Sequence, residues 1–472
     1  MQPTISLLKP NEIAYIDRES RRILFELGVF VENKEALGIF HDAGADVDFQ
    51  KRIVKIPSDL IDTSINKCKS LVKLFGRENR KPMLVGKENT YYGTTGFPTH
   101  LLDHETQTYR CCRYQDLVNA IRLADVLDQP NYILPNIGAT DILPEHVDLY
   151  EFKAALTNTT KHIQAQAQNI KNLKKIIEMA EIVAGGAKAL RDKPIFSILI
   201  TLTSPLNLRP DAAELIMNGA IEGLPLFIES GPMAGATSPA TLAMTIITAN
   251  AELLSSIVLA KQVNPNVPII YASWARTIDM RNGGVCVGAP EFGMLRVATT
   301  QMAKHYHLPS GGGGTLTDAR WVDVQMGAEL LSTTLLPALC GTNLIQGMGL
   351  LGSMNAASLE VMVISNEIIK YVQRIKNGIR VRETASDINV FKEVGPLGNF
   401  LSTQHTLDNF RKEMWIPFIF ERSTIMDGEK ESNGHMKSNI KKVISEALAA
   451  HRPLNLPKNI DRQLDEIINR EI

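Results

Sequence analysis

The chain has little cysteine, little tryptophan, no surplus of either charge and no long apolar run, and each shortage excludes something. The five cysteines, Cys68, Cys111, Cys112, Cys286 and Cys340, contain no C-x-x-C pair. An odd number of thiols in a chain of 472 residues fits a reducing compartment rather than a disulfide framework. No histidine stands at ligand spacing beside Cys111 and Cys112, so buried thiols are expected there rather than a metal site. Basic residues number 50 and acidic residues 51, a formal charge of −1. That balance argues against nucleic acid or an anionic membrane as the main partner. The apolar runs around Ile195–Leu202 and Leu350–Leu351 fall short of the ~20 residues a membrane span needs. The opening stretch MQPTISLLKPNEIAYIDRES carries Pro3, Pro10 and early acidic residues, not a charged-then-apolar signal pattern. A soluble, cytoplasmic protein is expected. Apolar residues at 44% and charged residues at 21% are ordinary for a globular chain and exclude disorder and fibre.

What is present is a change of pattern along the chain. Residues 1–85 read as an N-terminal cap. A helical stripe (Ile13, Ile16, Ile23, Leu24, Leu27) ends at Gly28, and a second helix spans Asn33–Ala43. A strand pair (Asp46–Phe49 and Ile53–Ile56) and a helix opened by Pro57 follow. From about residue 90 short apolar strands alternate with helices. The strands expected are Tyr91–Thr95, Tyr132–Asn136, His162–Ala167, Phe196–Thr201, Leu226–Glu229, Ile269–Ser273, Leu308–Ser310 and Leu344–Gly347. Each is followed by a helical stretch, among them Tyr114–Val126 after the first, Pro290–His305 after the sixth and Leu359–Lys370 after the last. Eight strand–helix units predict an α/β fold, a (β/α)8 TIM barrel over residues 86–385. No G-x-G-x-x-G follows the first strand, which argues against a doubly wound dinucleotide fold. Residues 386–472 read as a C-terminal helical extension packed on the barrel, with an exposed polar loop over Asp427–Ser438 and closing helices over Asn439–Ala449 and Arg462–Asn469.

Barrel chemistry sits at the C-terminal strand ends. Those ends present Phe97, Asn136, Gln164, Gln166, Gln168, Thr201, Glu229, Trp274, Arg276, Gln346 and Met348. The lining is rich in amides and hydroxyls. It holds one carboxylate, Glu229, so paired-carboxylate glycosidase chemistry has no residues. No lysine stands at a strand end for a Schiff base. His305 and His307 precede the seventh strand, the wrong end for a catalytic metal, and no metal site is expected. The run Ser310-Gly-Gly-Gly-Gly-Thr315 reads as a mouth loop whose bare backbone approaches a ligand, either phosphate or a large flat cofactor; a merely tight turn is the plain alternative. Trp274 with Phe97 forms a possible aromatic wall for a quaternary ammonium, or simply fills the barrel top. Arg276, Arg281 and Arg320 are candidates to grip a carboxylate.

Four segments then carry a resemblance: HDAGADVD (41–48), VGAPEFGM (287–294), LPSGGGGTLTDARWVDVQMGAE (308–329) and SLE (358–360). From about residue 10 onward the chain resembles the trimethylamine methyltransferase superfamily. The resemblance implies a (β/α)8 enzyme moving a methyl group from a methylated amine to the Co(I) of cobalamin, which is carried on a separate corrinoid protein. It also implies a homo-oligomer. The trimethylamine branch carries pyrrolysine, aligned here near Gly314–Leu316, and every residue in this chain is a standard one. The chain is therefore similar to the betaine methyltransferases of the non-pyrrolysine branch. On that footing Glu229 is the catalytic candidate. Phe97, Gln166, Gln168, Trp274, Arg276, Gln346 and Met348 are substrate-binding candidates. Gly311, Gly312, Gly313, Gly314 and Asp318 are expected to face the corrin. A phosphate-using barrel lyase or isomerase and a non-catalytic betaine binder are the alternatives.

Overall fold

Eight parallel strands close on themselves in the computed structural model, whose described residues are 3–78, 80–381, 387–422 and 435–470. They are β1 (Tyr91–Thr94), β2 (Pro130–Ile133), β3 (His162–Ala165), β4 (Phe196–Thr201), β5 (Leu226–Ser230), β6 (Ile269–Ser273), β7 (Ser310–Gly313) and β8 (Leu344–Met348). Each pairs in parallel with the next, and β8 returns to β1. The helix after each strand is α1 (Tyr114–Val126), α2 (Val147–Asn158), α3 (Ile170–Ala184), α4 (Pro210–Ile221), α5 (Leu242–Val263), α6 (Pro290–His305), α7 (Val324–Cys340) and α8 (Leu359–Lys376). This is the (β/α)8 barrel that the alternation predicts. The strands read as continuous apolar runs because both of their faces are covered.

Local chemistry sets the helix ends. The side chains of Asn169, Asp323 and Ser358 accept the backbone N–H three residues on, starting α3, α7 and α8. Gly185 and Gly341, both left-handed, end α3 and α7. Helix α5 has 22 residues and is apolar on every side, long and apolar enough to cross a membrane. Here it is a core helix, packed between α4, α6 and the N-terminal helix Pro10–Glu26, and 83% of its most apolar window is buried. The short apolar runs singled out from the sequence do not include it.

The four-glycine run differs from expectation. It is not a mouth loop: Gly311, Gly312 and Gly313 are strand β7 itself, and all are buried. The glycines give room to larger neighbours. A Cβ on Gly311 would collide with the Phe227 ring inside the barrel. One on Gly313 would lie 2.6 Å from Phe292 and 2.9 Å from Trp274. One on Gly314 would lie 2.6 Å from Ile345. We therefore expect Gly311→Ala to destabilise the barrel by about 1–3 kcal/mol, the usual cost of overpacking. Adding Phe227→Leu should recover much of that loss. Denaturant midpoints of the single and double variants check this; additive losses would mean that the two sites do not compete for the same space.

Excursions from the strand ends build walls around the mouth. After β1 the strands His100–Leu102 and Tyr109–Cys111 join Leu350–Leu351 and Ala356–Ala357 from beyond β8 in one sheet. After β5 and β6, Met233–Ala234, Arg276–Asp279 and Gly284–Cys286 form another. The N-terminal strand Val29–Val31 pairs in parallel with Asn207–Leu208 from the loop after β4. The helix His435–Ala450 lies on α1 and α8, and Lys458–Asn469 lies on α2 and α3. Of the polar loop expected over Asp427–Ser438, residues 427–434 lie outside the described residues, and the rest opens the helix His435–Ala450.

Candidate active site

Side chains alternate along a strand, so one set per strand points into the barrel. At the upper end that inward set includes Gln164 and Gln166 of β3 and its extension, Thr201 of β4, Glu229 of β5, Trp274 beyond β6 and Gln346 of β8. Many of their polar atoms are buried without a protein partner: both amide atoms of Gln164, Gln346 Oε1, Asn136 Nδ2, Trp274 Nε1 and the Tyr132 hydroxyl. Buried polar groups are rarely left alone, so such a cluster marks a place where a ligand or ordered water completes the bonding.

The mouth has an open half and a packed half. Over β1–β4 lies a cavity of about 610 Å³. Phe97, Gln166, Gln168, Leu199 and Thr201 line it, together with Asp148 and Glu151 of α2 and Asp211 of α4. Over β5–β8 the residues close on one another. Glu229 is buried; Thr201 Oγ1 donates to its Oε1 at 2.9 Å, and Gln346 Nε2 makes a long contact to its Oε2 at 3.4 Å. The Trp274 indole N–H lies near the same carboxylate without a hydrogen bond of its own. Two guanidiniums, Arg276 and Arg296, also act on Glu229. Burial outweighs these partners and pushes the Glu229 carboxyl up to about 7. Thr201 belongs to both halves, so the buried carboxylate is one hydrogen bond away from the cavity wall.

The comparisons with known proteins decide the family. The family model described as trimethylamine methyltransferase (MTTB) matches residues 1–472. The chain belongs to the trimethylamine methyltransferase family. Its relatives are named as methyltransferases, and the chain is an enzyme of that kind. It is 32% identical over 464 residues to a trimethylamine methyltransferase MttB of Desulfitobacterium hafniense, covering 97% of this chain and 92% of the relative. It is 28% identical over 468 residues to a glycine betaine methyltransferase of the same species, covering 99% and 97%. Among solved structures it is similar to the monomethylamine methyltransferase MtmB of Methanosarcina barkeri, at a TM-score of 0.48 and 10% identity, covering 97% and 92%.

Within this family member the residues expected from the sequence are divided. Phe97, Gln166 and Gln168 line the cavity, though the Gln168 amide already donates to the Pro144 carbonyl at 2.9 Å. Glu229, Trp274, Arg276 and Gln346 belong to the packed half. Trp274 rests against Phe292, with ring centroids 5.9 Å apart, and is not on the wall that Phe97 lines. Met348 is wholly buried in the core. Asp318 accepts the backbone N–H groups of Val287 and Gly288 at 2.9 and 3.0 Å and the Ser353 hydroxyl at 2.7 Å. It ties together the loops after β6, β7 and β8 instead of presenting a carboxylate at the mouth. The buried glycine run offers no loop for phosphate either.

Strand-end reasoning missed four side chains. Asp148 and Glu151 stand on α2, Asp211 stands on α4 and Arg296 stands on α6. Their signal is a charged residue at helical spacing beside an apolar stripe: Leu149, Phe152 and Ala155 next to Glu151, and Leu295 and Ala298 next to Arg296.

Proposed function

We propose that the chain takes a methyl group from a betaine-type quaternary amine, such as glycine betaine, proline betaine or carnitine, and passes it to a corrinoid carried by a separate partner protein in the cytoplasm. One observation carries this reading most: the cavity at the mouth is walled by three carboxylate residues and an aromatic ring, with no lysine, arginine or histidine among its described lining residues. Such a wall suits a small permanent cation. The standard residues at 314–316 favour the non-pyrrolysine branch, and Thr315 and Leu316 are buried. Five free cysteines fit a cytoplasmic setting.

The chemistry asks little acid–base work of this chain. The methyl–nitrogen bond breaks with its electron pair going to nitrogen, so the departing amine needs no proton. The corrinoid supplies the strong Co(I) nucleophile that accepts the methyl. The chain's residues hold the substrate in line and exclude water. The exposed apolar side chains of Phe97 and Leu143 by the cavity suit the face of a macrocycle. The glycines of β7 do not, because they are buried.

The test mixes the chain with a reduced corrinoid protein and a panel of quaternary amines. Loss of the Co(I) absorbance should accompany formation of the amine with one methyl fewer. A panel without any turnover, with the corrinoid protein active toward a known methyl donor, would reject the reading.

A further inference from the structure

We propose that Glu151 is the counter-charge for the substrate's quaternary nitrogen, which would sit between this carboxyl and the Phe97 ring. The assignment deepens the methyl-transfer reading above and rests on it. Glu151 and Phe97 line the 610 Å³ cavity, and both also line a small recess beside it with Leu134, Pro135 and Gln166. Glu151 is only 5% exposed, and its Oε1 has no hydrogen-bond partner. The other two acids of the wall are already engaged. Asp148 accepts from the Gln168 and Leu149 N–H groups and from the Asn172 amide, at 2.8, 3.0 and 2.8 Å. Asp211 pairs with Arg209 at 3.3 Å. Glu151 is thus left as a buried acceptor with an empty valence, in a recess that it shares with Phe97, Leu134, Pro135 and Asp148. Burial, with Asp148 beside it, raises the Glu151 carboxyl well above the ordinary carboxylate range, so a methylated ammonium without N–H groups would bind with release of the Glu151 proton to solvent and then be held through charge. An aromatic face opposite is the usual companion of such a cation.

The charge has a definite kinetic consequence. During transfer the substrate nitrogen loses its positive charge, so a carboxylate beside it stabilises the bound substrate more than the transition state. Glu151 therefore serves capture and orientation, and its loss should raise KM without lowering kcat, which should stay level or rise.

Calorimetric titration of the full chain, without corrinoid protein, tests the assignment. The probes are glycine betaine, carnitine, tetramethylammonium and 3,3-dimethylbutanoate, in which carbon replaces the betaine nitrogen. The wild type should bind at least one of the cations and should bind the carbon analogue on the order of a hundredfold more weakly than glycine betaine. Glu151→Gln should lose on the order of a hundredfold in affinity for the cations and nothing for the carbon analogue. In turnover its KM should rise while kcat does not fall. A folded Glu151→Gln chain that binds cations like the wild type would overturn the assignment. If that variant does not fold, equal wild-type affinities for betaine and its carbon analogue would overturn it; so would a wild type that binds none of the cations. Cation binding without methyl transfer would instead leave Glu151 standing and remove the reaction.

Discussion

Betaine demethylation should rise with pH through a step near 7, and Glu229→Gln should lose both that step and on the order of a hundredfold in kcat/KM, the cost of charge-assisted hydrogen bonds removed from a buried site. Glu229 does not line the cavity, so on the proposed reaction it would act as a positioning residue through Thr201, Gln346 and the two guanidiniums. Once ionised it fixes the Thr201 hydroxyl as a donor and gives Arg276 and Arg296 a common counter-charge. Its carboxyl is raised by folding from 4.5 to about 7, chiefly by burial. Between those values the folded chain holds a proton that the unfolded chain has released. Stability from this group is therefore complete below about pH 4.5, falls as pH rises to 7, and is flat above. The loss is about 3 kcal/mol, at about 1.4 kcal/mol per pH unit. The form competent for turnover is thus the less stable one, and activity and unfolding temperature should move in opposite directions across this window. Glu252 is a useful control. It is also raised to about 7 by burial, and it staples Ser230, Ser204 and the Leu206 N–H from α5. Glu252→Gln should flatten part of the stability slope and leave the activity step in place. A pH profile of kcat/KM for both variants decides; a step that survives in Glu229→Gln belongs to another group.

The contrast between Glu229 and Glu151 shows what a sequence makes legible here. Barrel architecture follows from local alternation, which neighbouring residues carry on their own. Helices α1 and α6 run over the residues that apolar periodicity and an opening Pro290 indicate, and β4 and β6 span their apolar runs. Strand β7 breaks the rule because its contribution is the absence of side chains. Phe227, Arg296, Trp274 and Phe292, all distant in sequence, supply the bulk that a normal strand would carry itself. Strand β2 begins two residues before the expected Tyr132 and stops at Ile133, although the apolar run continues to Leu134. Strand-end parity was enough to place Phe97, Gln166, Thr201 and Glu229 around the barrel mouth. It could not find Glu151 or Arg296, because a helix lends a side chain to the mouth only where its packing angle allows it. That angle is fixed by tertiary contacts.

Arg296 offers the sharpest separation of stability from function. Its side chain is 1% exposed, between α6 and the barrel wall. One nitrogen, Nη2, donates to the Ala275 carbonyl at 2.5 Å, and the guanidinium stands 4.8 Å from the Phe292 ring centre. Nε and Nη1 have no partner. Burial, with Arg276 as a second cation nearby, lowers its pKa to about 9 in spite of Glu229. A desolvated cation with two idle N–H groups is costly, and a methionine of similar length would pack against Phe292 and the bare backbone of Gly312 at no such cost. Glu229 answers the loss by keeping its proton, so no buried charge is left uncompensated, and Arg296→Met should raise stability by about 1–3 kcal/mol, as removing a buried charge together with its counter-charge often does. The same change removes one of the two positive charges that hold Glu229 down, the smaller of the pair after Arg276. The activity step should then move to higher pH, and turnover at pH 7 should fall because less Glu229 is ionised. Melting curves and a pH profile on one preparation test both halves together. A variant that melts lower would show that Arg296 stabilises the chain through its packing and its bond to the Ala275 carbonyl, and a step that stays where the wild type has it would show that its field does not reach the carboxylate across the barrel wall.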